Sequence, residues 1–220
     1  GEIFVMREKG GKAMRITDNP ARDFDIAWSP SGDTLLFVSD RAGNQDVYMV
    51  FSADTTERRL SRSLKRTIVR LTDSPQNDFD PSFSPDGKLI AYVHNLGDLV
   101  LMKPDGSQKR TLFKGWDAPK YSWSPDSRWI AYSRNDNDFN EDVWIISVAG
   151  GEAVNVSMHP DNDWAPVWSK DGRKLAFISR RASNNVDVWF VFLRKADYEK
   201  PKEEWELEKE AEKAEKKKKD

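Results

Sequence analysis

The sequence has no cysteine, only two histidines and no long apolar run. Without cysteine, disulfides, thiolate zinc sites and thiol nucleophiles are excluded. No apolar stretch approaches the roughly 20 residues that a membrane-spanning helix needs. Neither sign of charge is in excess, because 35 Lys and Arg stand against 37 Asp and Glu among 220 residues. The concentrated basic face of a nucleic-acid-binding protein is therefore not expected.

The chain also has no initiator methionine and no signal peptide. It begins Gly1-Glu2-Ile3, without a charged segment followed by an apolar one. We therefore expect an internal piece of a longer protein. The compartment is left open between the cytoplasm and the periplasm of a prokaryote.

One short block occurs four times in the chain. An aromatic residue is followed by Ser and by a turn sequence related to Pro-Asp-Gly, and the copies are Trp28–Gly32, Phe83–Gly87, Trp123–Ser127 and Trp168–Gly172. The aromatic residues are 55, 40 and 45 positions apart, which fits the period of roughly 40–45 residues of a four-stranded propeller blade. The longer first interval contains polar sequence at 52–65, which we predict to be a loop.

Each copy is embedded in the same order of elements. The aromatic residue ends a first strand, and the turn follows because Pro presets φ while Gly accepts a positive φ. An apolar second strand comes next, as in Leu89–Val93. A Gly turn later leads into a fourth strand. The third strands begin at acids, which are Asp46, Asp98, Asp142 and Asp187.

The two ends of the chain are out of phase with whole blades. Residues 2–6 match a third strand, residues 12–17 match a fourth, and the last repeat supplies three strands that end near Leu193. We predict an all-β propeller segment, 1–194, of about four to five blades. Propellers typically have about 4–8 blades. The N-terminal fourth strand could complete the last blade, but this would leave the N-terminal third strand over, so we expect the segment to be part of a larger propeller. Its unpaired strand edges would favour association, including a homo-oligomer.

The last part of the chain, 195–220, differs in composition from the rest. It is rich in Lys, Glu and Ala and has no wide apolar face. The pairs Glu212–Lys216 and Glu215–Lys219 place an acid four residues before a base, which supports an exposed helix. We predict a charged, solvated helical tail or linker, with a helix that docks on a partner as the alternative.

The repeated Trp/Phe-Ser-Pro-Asp-Gly turn, followed by a strand such as Ile-Ala-Tyr, resembles the propeller repeats of the TolB and tricorn families. The resemblance covers about residues 1–194. The segment Val191–Ala196, which leads into the charged tail, is similar to the exit from the last propeller of tricorn-like serine peptidases. This resemblance implies a non-catalytic domain that gates or binds peptides or docks the protease core.

Two other roles stay open. One is a TolB-like protein-binding scaffold of the cell envelope, and the other is the propeller of a prolyl-oligopeptidase-type hydrolase. The expected partners are peptides or the rest of a peptidase chain, without nucleic acid or a membrane span.

No residue of the chain is predicted to be catalytic. A nucleophile is needed once, whereas the Ser of the repeated block occurs in every copy and therefore fits turn capping. No Gly-x-Ser-x-Gly elbow occurs. His94 and His159 have no nucleophile or orienting acid that the sequence places beside them. The four repeated serines are Ser29, Ser84, Ser124 and Ser169.

The segment Asn135–Asp142 is rich in oxygen ligands but does not form a calcium loop of the EF-hand kind. Such a loop needs Gly at its sixth position and Glu at its twelfth. Counted from Asp136, these positions hold Glu141 and Ser147. No metal site and no cofactor are predicted.

Acids recur a few residues before the aromatic anchors. One interpretation is turn capping through bonds from side chain to backbone. The other is a polar rim at one mouth of the channel that binds a basic or N-terminal group of a peptide, with nearby aromatic rings as apolar contact area. The predicted rim residues are Asp23, Asp25, Asp78, Asp80, Trp116, Asp117, Asp163 and Trp164.

Overall fold

The computed structural model describes residues 1–182 and 185–217. In this part of the chain, seventeen strands form five sheets, and two helices follow them. Within each sheet, every strand pairs antiparallel with its neighbour in the chain. The sheets contain two, four, four, four and three strands in chain order. This is the predicted order of blades.

The strands have the following bounds. The first sheet holds β1 Phe4–Val5 and β2 Met14–Arg15. The second holds β3 Asp23–Trp28, β4 Thr34–Ser39, β5 Asp46–Ser52 and β6 Arg66–Arg70, and the third holds β7 Asp78–Phe83, β8 Ile90–His94, β9 Asp98–Met102 and β10 Arg110–Phe113. The fourth holds β11 Lys120–Trp123, β12 Trp129–Asn135, β13 Glu141–Ser147 and β14 Val154–Asn155, and the last holds β15 Asp163–Trp168, β16 Lys174–Ala182 and β17 Asn185–Phe192.

The repeated block forms the turn between the first and second strands of a blade. In the third sheet, the N–H of Gly87 donates to the carbonyl of Ser84 at 2.8 Å, and Gly87 has a φ of 71°. The hydroxyl of Ser84 accepts the N–H of Leu89 at 3.0 Å and lies 2.7 Å from Asp86 Oδ1. The serine is engaged on both sides, so its role in the turn is structural.

The sheets are arranged as propeller blades with their first strands innermost. First strands of successive blades lie against each other, β3 against β7 and β11 against β15. Apolar cores fill the space between neighbouring blades. In one of them, Leu36 and Val47 of one blade pack with Ile90 and Tyr92 of the next. The predicted all-β propeller segment is therefore what the chain forms.

Three of the inner strands carry a bulge. The pairing with the second strand shifts between Phe24 and Ala27, and at the equivalent places in β7 and β15. The bulged residues have positive φ, at 46° for Asp25, 51° for Asp80 and 54° for Ala165. Asp tolerates this left-handed conformation better than most residues. A bulge also redirects its side chain, and this places Asp25 and Asp80.

The tail forms two helices, α1 Lys195–Tyr198 and α2 Lys202–Lys217. The start of α2 lies against the last blade rather than in solvent. Trp205 packs 6.0 Å from the ring of Phe192, and Glu208 accepts a hydrogen bond of 2.7 Å from Arg173. The prediction of a solvated tail is wrong for this part, because Trp205 packs on Phe192 and Glu208 pairs with Arg173 of the last blade.

The predicted pairs Glu212–Lys216 and Glu215–Lys219 lie outside the residues whose side chains are described. In the described ranges, no helix has the length and apolar character needed to cross a membrane.

Candidate functional site

The predicted rim acids fall into two sets, and the first set is buried and paired. Asp23 begins its inner strand, and its Oδ1 accepts a hydrogen bond of 2.9 Å from Nη2 of Arg41. The same guanidinium donates from Nε to Ser39 Oγ at 2.9 Å and lies over the rings of Phe37 and Tyr48. Asp23 thus links the start of the first strand to the residues that follow the second strand. Its buried carboxylate therefore has a structural contact within the blade.

The other blades repeat this pairing with different partners. In the last blade, Arg181 takes the place of Arg41 and binds Asp163. In the fourth sheet, Asp117 accepts the amide of Asn135 at 2.8 Å. These contacts join side chains to side chains, rather than the side chain to the backbone as in turn capping. The carboxylates of Asp23, Asp117 and Asp163 each make a contact within their own blade, and a rim role for them stays a prediction.

Asp78 pairs with His94, a contact that sequence reasoning missed. Oδ1 of Asp78 lies 2.7 Å from His94 Nδ1, and Oδ2 accepts the hydroxyl of Ser74 at 3.1 Å. A catalytic relay needs the serine hydroxyl on the histidine. Here both groups bind the carboxylate, so the trio is not an activated nucleophile. The pairing register of β7 and β8 is what could have revealed this contact, because His94 stands directly opposite Asp78.

The remaining candidates for chemistry are also used locally. Nδ1 of His159 accepts the N–H of Asp161 at 3.1 Å. Asp136 accepts the N–H groups of Asp138 and Asn140 within its own loop, at 2.8 and 3.0 Å. Over residues 1–182 and 185–217, no three His, Asp or Glu side chains are grouped to hold a metal ion.

The second set of acids consists of Asp25 and Asp80. They occupy the bulges of two neighbouring inner strands, and the N–H of Asp80 points to Oδ2 of Asp25 at 3.4 Å. Within the described residues, no side chain donates a hydrogen bond to either carboxylate. Burial raises the pKa of Asp80, Asp25 adds to this rise, and Lys120 opposes it. The bulges of β3 and β7 therefore bring Asp25 and Asp80 next to each other, and in the described residues no side chain donates to either carboxylate.

Tyr121 holds the bulge of Asp80 in place. Its hydroxyl donates to the Asp80 carbonyl at 2.5 Å and accepts from Ser82 Oγ at 3.0 Å, and Ser82 also accepts the indole N–H of Trp123 at 3.0 Å. Burial raises the pKa of Tyr121, so the phenol stays protonated and remains a donor. Lys120 and Tyr121 belong to the site but were not predicted from the sequence.

The two predicted rim tryptophans lie in separate surroundings. Trp116 is exposed and contacts Phe139 edge to face at 5.6 Å. Trp164 is half-buried beneath the guanidinium of Arg180, which lies 5.5 Å from its ring. The eight predicted residues therefore do not form one continuous rim. The candidate site reduces to Asp25 and Asp80, supported by Lys120 and Tyr121.

Comparison with known proteins agrees with this fold. The family described as TolB beta propeller domain matches residues 1–137, and the chain belongs to this family. The uncharacterised peptidase YuxL of Bacillus subtilis (strain 168) is 26% identical over 197 residues, covering 86% of this chain and 27% of YuxL. A tricorn protease homolog of Saccharolobus solfataricus is 23% identical over 195 residues, covering 87% of this chain and 17% of the homolog.

A solved structure gives the same result for the fold. The crystal structure of TolB from Acinetobacter baumannii superposes with a TM-score of 0.64 at 18% identity, covering 88% of this chain and 47% of TolB. The chain therefore spans less than half the length of these relatives. What it shares with them is propeller blades.

Proposed function

We propose that this chain is a non-catalytic propeller domain of a tricorn-like serine peptidase, and that Asp25 and Asp80 receive the positively charged end of a peptide. The observation that carries the proposal is that Asp25 and Asp80 are neighbours on two inner strands, with the Asp80 N–H 3.4 Å from Asp25 Oδ2 and with Asp25 raising the pKa of Asp80. The similarity to YuxL and to the tricorn homolog supports a peptidase context.

The electrostatics of the pair favour a cationic ligand. The pKa of Asp80 is raised because burial disfavours its ionised form and because Asp25 adds like charge. An ammonium or guanidinium group between the two carboxylates would relieve both effects. Charge-assisted hydrogen bonds to such a group are stronger than neutral ones. Peptides offer this group at the N-terminus or on a Lys or Arg side chain.

The contacts of the repeated serines and of the two histidines support the non-catalytic part of the proposal. The repeated serines are engaged in turns, as for Ser84, which is fully buried. Within the described residues, neither His94 nor His159 contacts a serine hydroxyl. Peptide binding without hydrolysis is the expected behaviour of such a domain.

Calorimetric titration tests the proposal. A hexapeptide with a free N-terminal amine and no Lys or Arg is compared with its N-acetylated form on the purified chain. We expect the acetylated peptide to bind at least about tenfold more weakly, because it lacks the charge that the carboxylates bind. Incubation of the same peptides followed by mass spectrometry should show no cleavage.

Matched variants locate the site. Asp25→Asn/Asp80→Asn keeps the shape of both side chains and removes both charges, and it should abolish the preference for the free amine. Glu152→Gln, which neutralises an exposed acid between β13 and β14 of another blade, should keep the preference. Equal binding of the two peptides to the unchanged chain would contradict the proposal.

A TolB-like protein-binding scaffold is the second candidate. The superposition on TolB supports it. In that case folded proteins would bind to the outer surface of the blades, and the Asp25→Asn/Asp80→Asn variant would bind them as well as the unchanged chain does.

A further inference from the structure

The last sheet differs from the three complete blades because no described strand pairs with the outer edge of β17. This strand corresponds to the third strand of a blade. Asp187 stands opposite Ser179, as Asp46 stands opposite Ser39 in the second sheet. Val188 is 78% exposed, whereas its counterpart Val47 is fully buried.

In the second sheet, a segment at the end of the fourth strand closes this edge with four groups. Arg70 Nη2 donates to Asp46 Oδ2 at 2.7 Å, and the hydroxyl of Thr72 donates to Asp46 Oδ1 at 3.2 Å. The same hydroxyl accepts the N–H of Val47 at 2.9 Å, and the N–H of Leu71 donates to the carbonyl of Val47 at 2.8 Å. Leu71 itself is buried in the core beside Val47.

The first sheet repeats this closure. Arg15 and Thr17 bind the carboxylate of Glu2, with 2.6 Å for the shortest contact of Arg15. The N–H of Ile3 donates to the Thr17 hydroxyl at 3.0 Å, and the N–H of Ile16 donates to the carbonyl of Ile3 at 2.7 Å.

The fourth sheet repeats it with smaller side chains. Asn155 and the hydroxyl of Ser157 each donate to Asp142 at 2.8 Å, and the N–H of Val143 donates to Ser157 Oγ at 3.0 Å. The N–H of Val156 donates to the carbonyl of Val143 at 2.8 Å.

The third sheet is the exception. There Asp98 accepts a backbone N–H, that of Gly115, at 3.0 Å. The three other closing segments therefore share one sequence pattern. An Arg or Asn is followed by an aliphatic residue and then by a Thr or Ser, in Arg15–Thr17, Arg70–Thr72 and Asn155–Ser157.

β17 has the same acid and the same outward backbone groups, but no closing segment is paired with it in the described residues. By its register, the N–H and carbonyl of Val188 point outward, as those of Val47 do. No side chain of the described residues binds the carboxylate of Asp187. In a segment bound to this edge, the aliphatic residue would cover Val188, as Leu71 covers Val47.

We propose that the outer edge of β17 binds an extended peptide segment in which Arg or Asn, an aliphatic residue, and Thr or Ser follow one another. The segment pairs antiparallel with β17. Its first side chain binds the Asp187 carboxylate, and its hydroxyl bridges that carboxylate and the Val188 N–H. This inference is independent of the channel carboxylates.

A binding assay with a peptide of this pattern tests the proposal. The fluorescently labelled peptide has the sequence of residues 11–17, Gly-Lys-Ala-Met-Arg-Ile-Thr. The control peptide exchanges its Arg and Thr, which keeps composition and charge but reverses the pattern. In fluorescence anisotropy, we expect the control to bind at least about tenfold more weakly, as for the loss of one charge-assisted hydrogen bond.

Protein variants show whether the peptide binds at β17. Asp187→Ala should weaken binding of the matched peptide at least about tenfold, whereas Glu152→Gln should leave it unchanged. Amide hydrogen exchange of β17 should slow on addition of the peptide. Equal affinity of the two peptides, equal affinity of the Asp187→Ala variant, or no binding of the matched peptide at millimolar concentration would overturn the proposal.

Discussion

The ion pair between Asp23 and Arg41 offers a test of whether Asp23 stabilises the fold or binds a ligand. The side chain of Asp23 is 0% exposed and that of Arg41 is 17% exposed. Asp23→Ala would leave the guanidinium with Ser39 and two aromatic rings but without a counter-charge. If Asp23 instead bound a ligand, its removal would weaken binding and leave stability unchanged.

The magnitude follows from the burial of the pair. Removing one partner of a buried ion pair costs about 3–5 kcal/mol. Because Arg41 keeps some contact with water and its bond to Ser39, we expect about 2–3 kcal/mol, below that range. The variant Asp23→Ala/Arg41→Met removes both charges and should recover part of this loss, since no unpaired charge is then buried.

Urea unfolding followed by tryptophan fluorescence measures these differences. The chain has nine Trp residues, and the midpoint multiplied by the slope gives the free energy of unfolding. Glu152→Gln is the control and should change it by less than about 0.5 kcal/mol. A change for Asp23→Ala as small as that of the control, together with weakened binding of a cationic peptide, would refute the structural assignment.

Three further predictions concern other parts of the chain. Ser84→Ala should lower the free energy of unfolding by about 1–3 kcal/mol in urea, because it leaves the partly buried N–H of Leu89 without its acceptor; an unchanged midpoint would contradict the turn role. The raised pKa of Asp80 means that the folded state loses stability as pH rises above the ordinary value for Asp, so Asp80→Asn should stabilise the fold at pH 7 and not at pH 3; equal effects at both pH values would contradict this. Trp205→Ala should speed cleavage of α2 by a lysine-specific protease while the blades stay resistant, and unchanged cleavage would show that the ring does not anchor the helix.

Much of the fold could be predicted because one repeated block fixes the order of strands. The turn chemistry of Ser84 and Gly87 is local, and the apolar second strand follows directly in the sequence. The incomplete sheets at both ends were also predicted, because the first and last copies of the repeat lack some of the four strands of a blade. The assignment of residues 2–6 as a third strand agrees with the contacts of Glu2, which match those of Asp46 in the next sheet.

The site was predicted less well because spacing does not show which way a side chain points. Asp23 and Asp25 are two residues apart in one strand, yet Asp23 is buried on Arg41 whereas Asp25 is exposed on the inner strand. The bulge that redirects Asp25 has no signal beyond the tolerance of Asp for positive φ. The His94 contact was missed because register, not spacing, makes it.

The most direct measurement is a crystal structure of the chain with a peptide that carries a free N-terminal amine. An ammonium nitrogen about 3 Å from the carboxylates of Asp25 and Asp80 is the expected result. A peptide bound elsewhere on the blades, with both carboxylates facing only solvent, would contradict the proposed role of the inner strands.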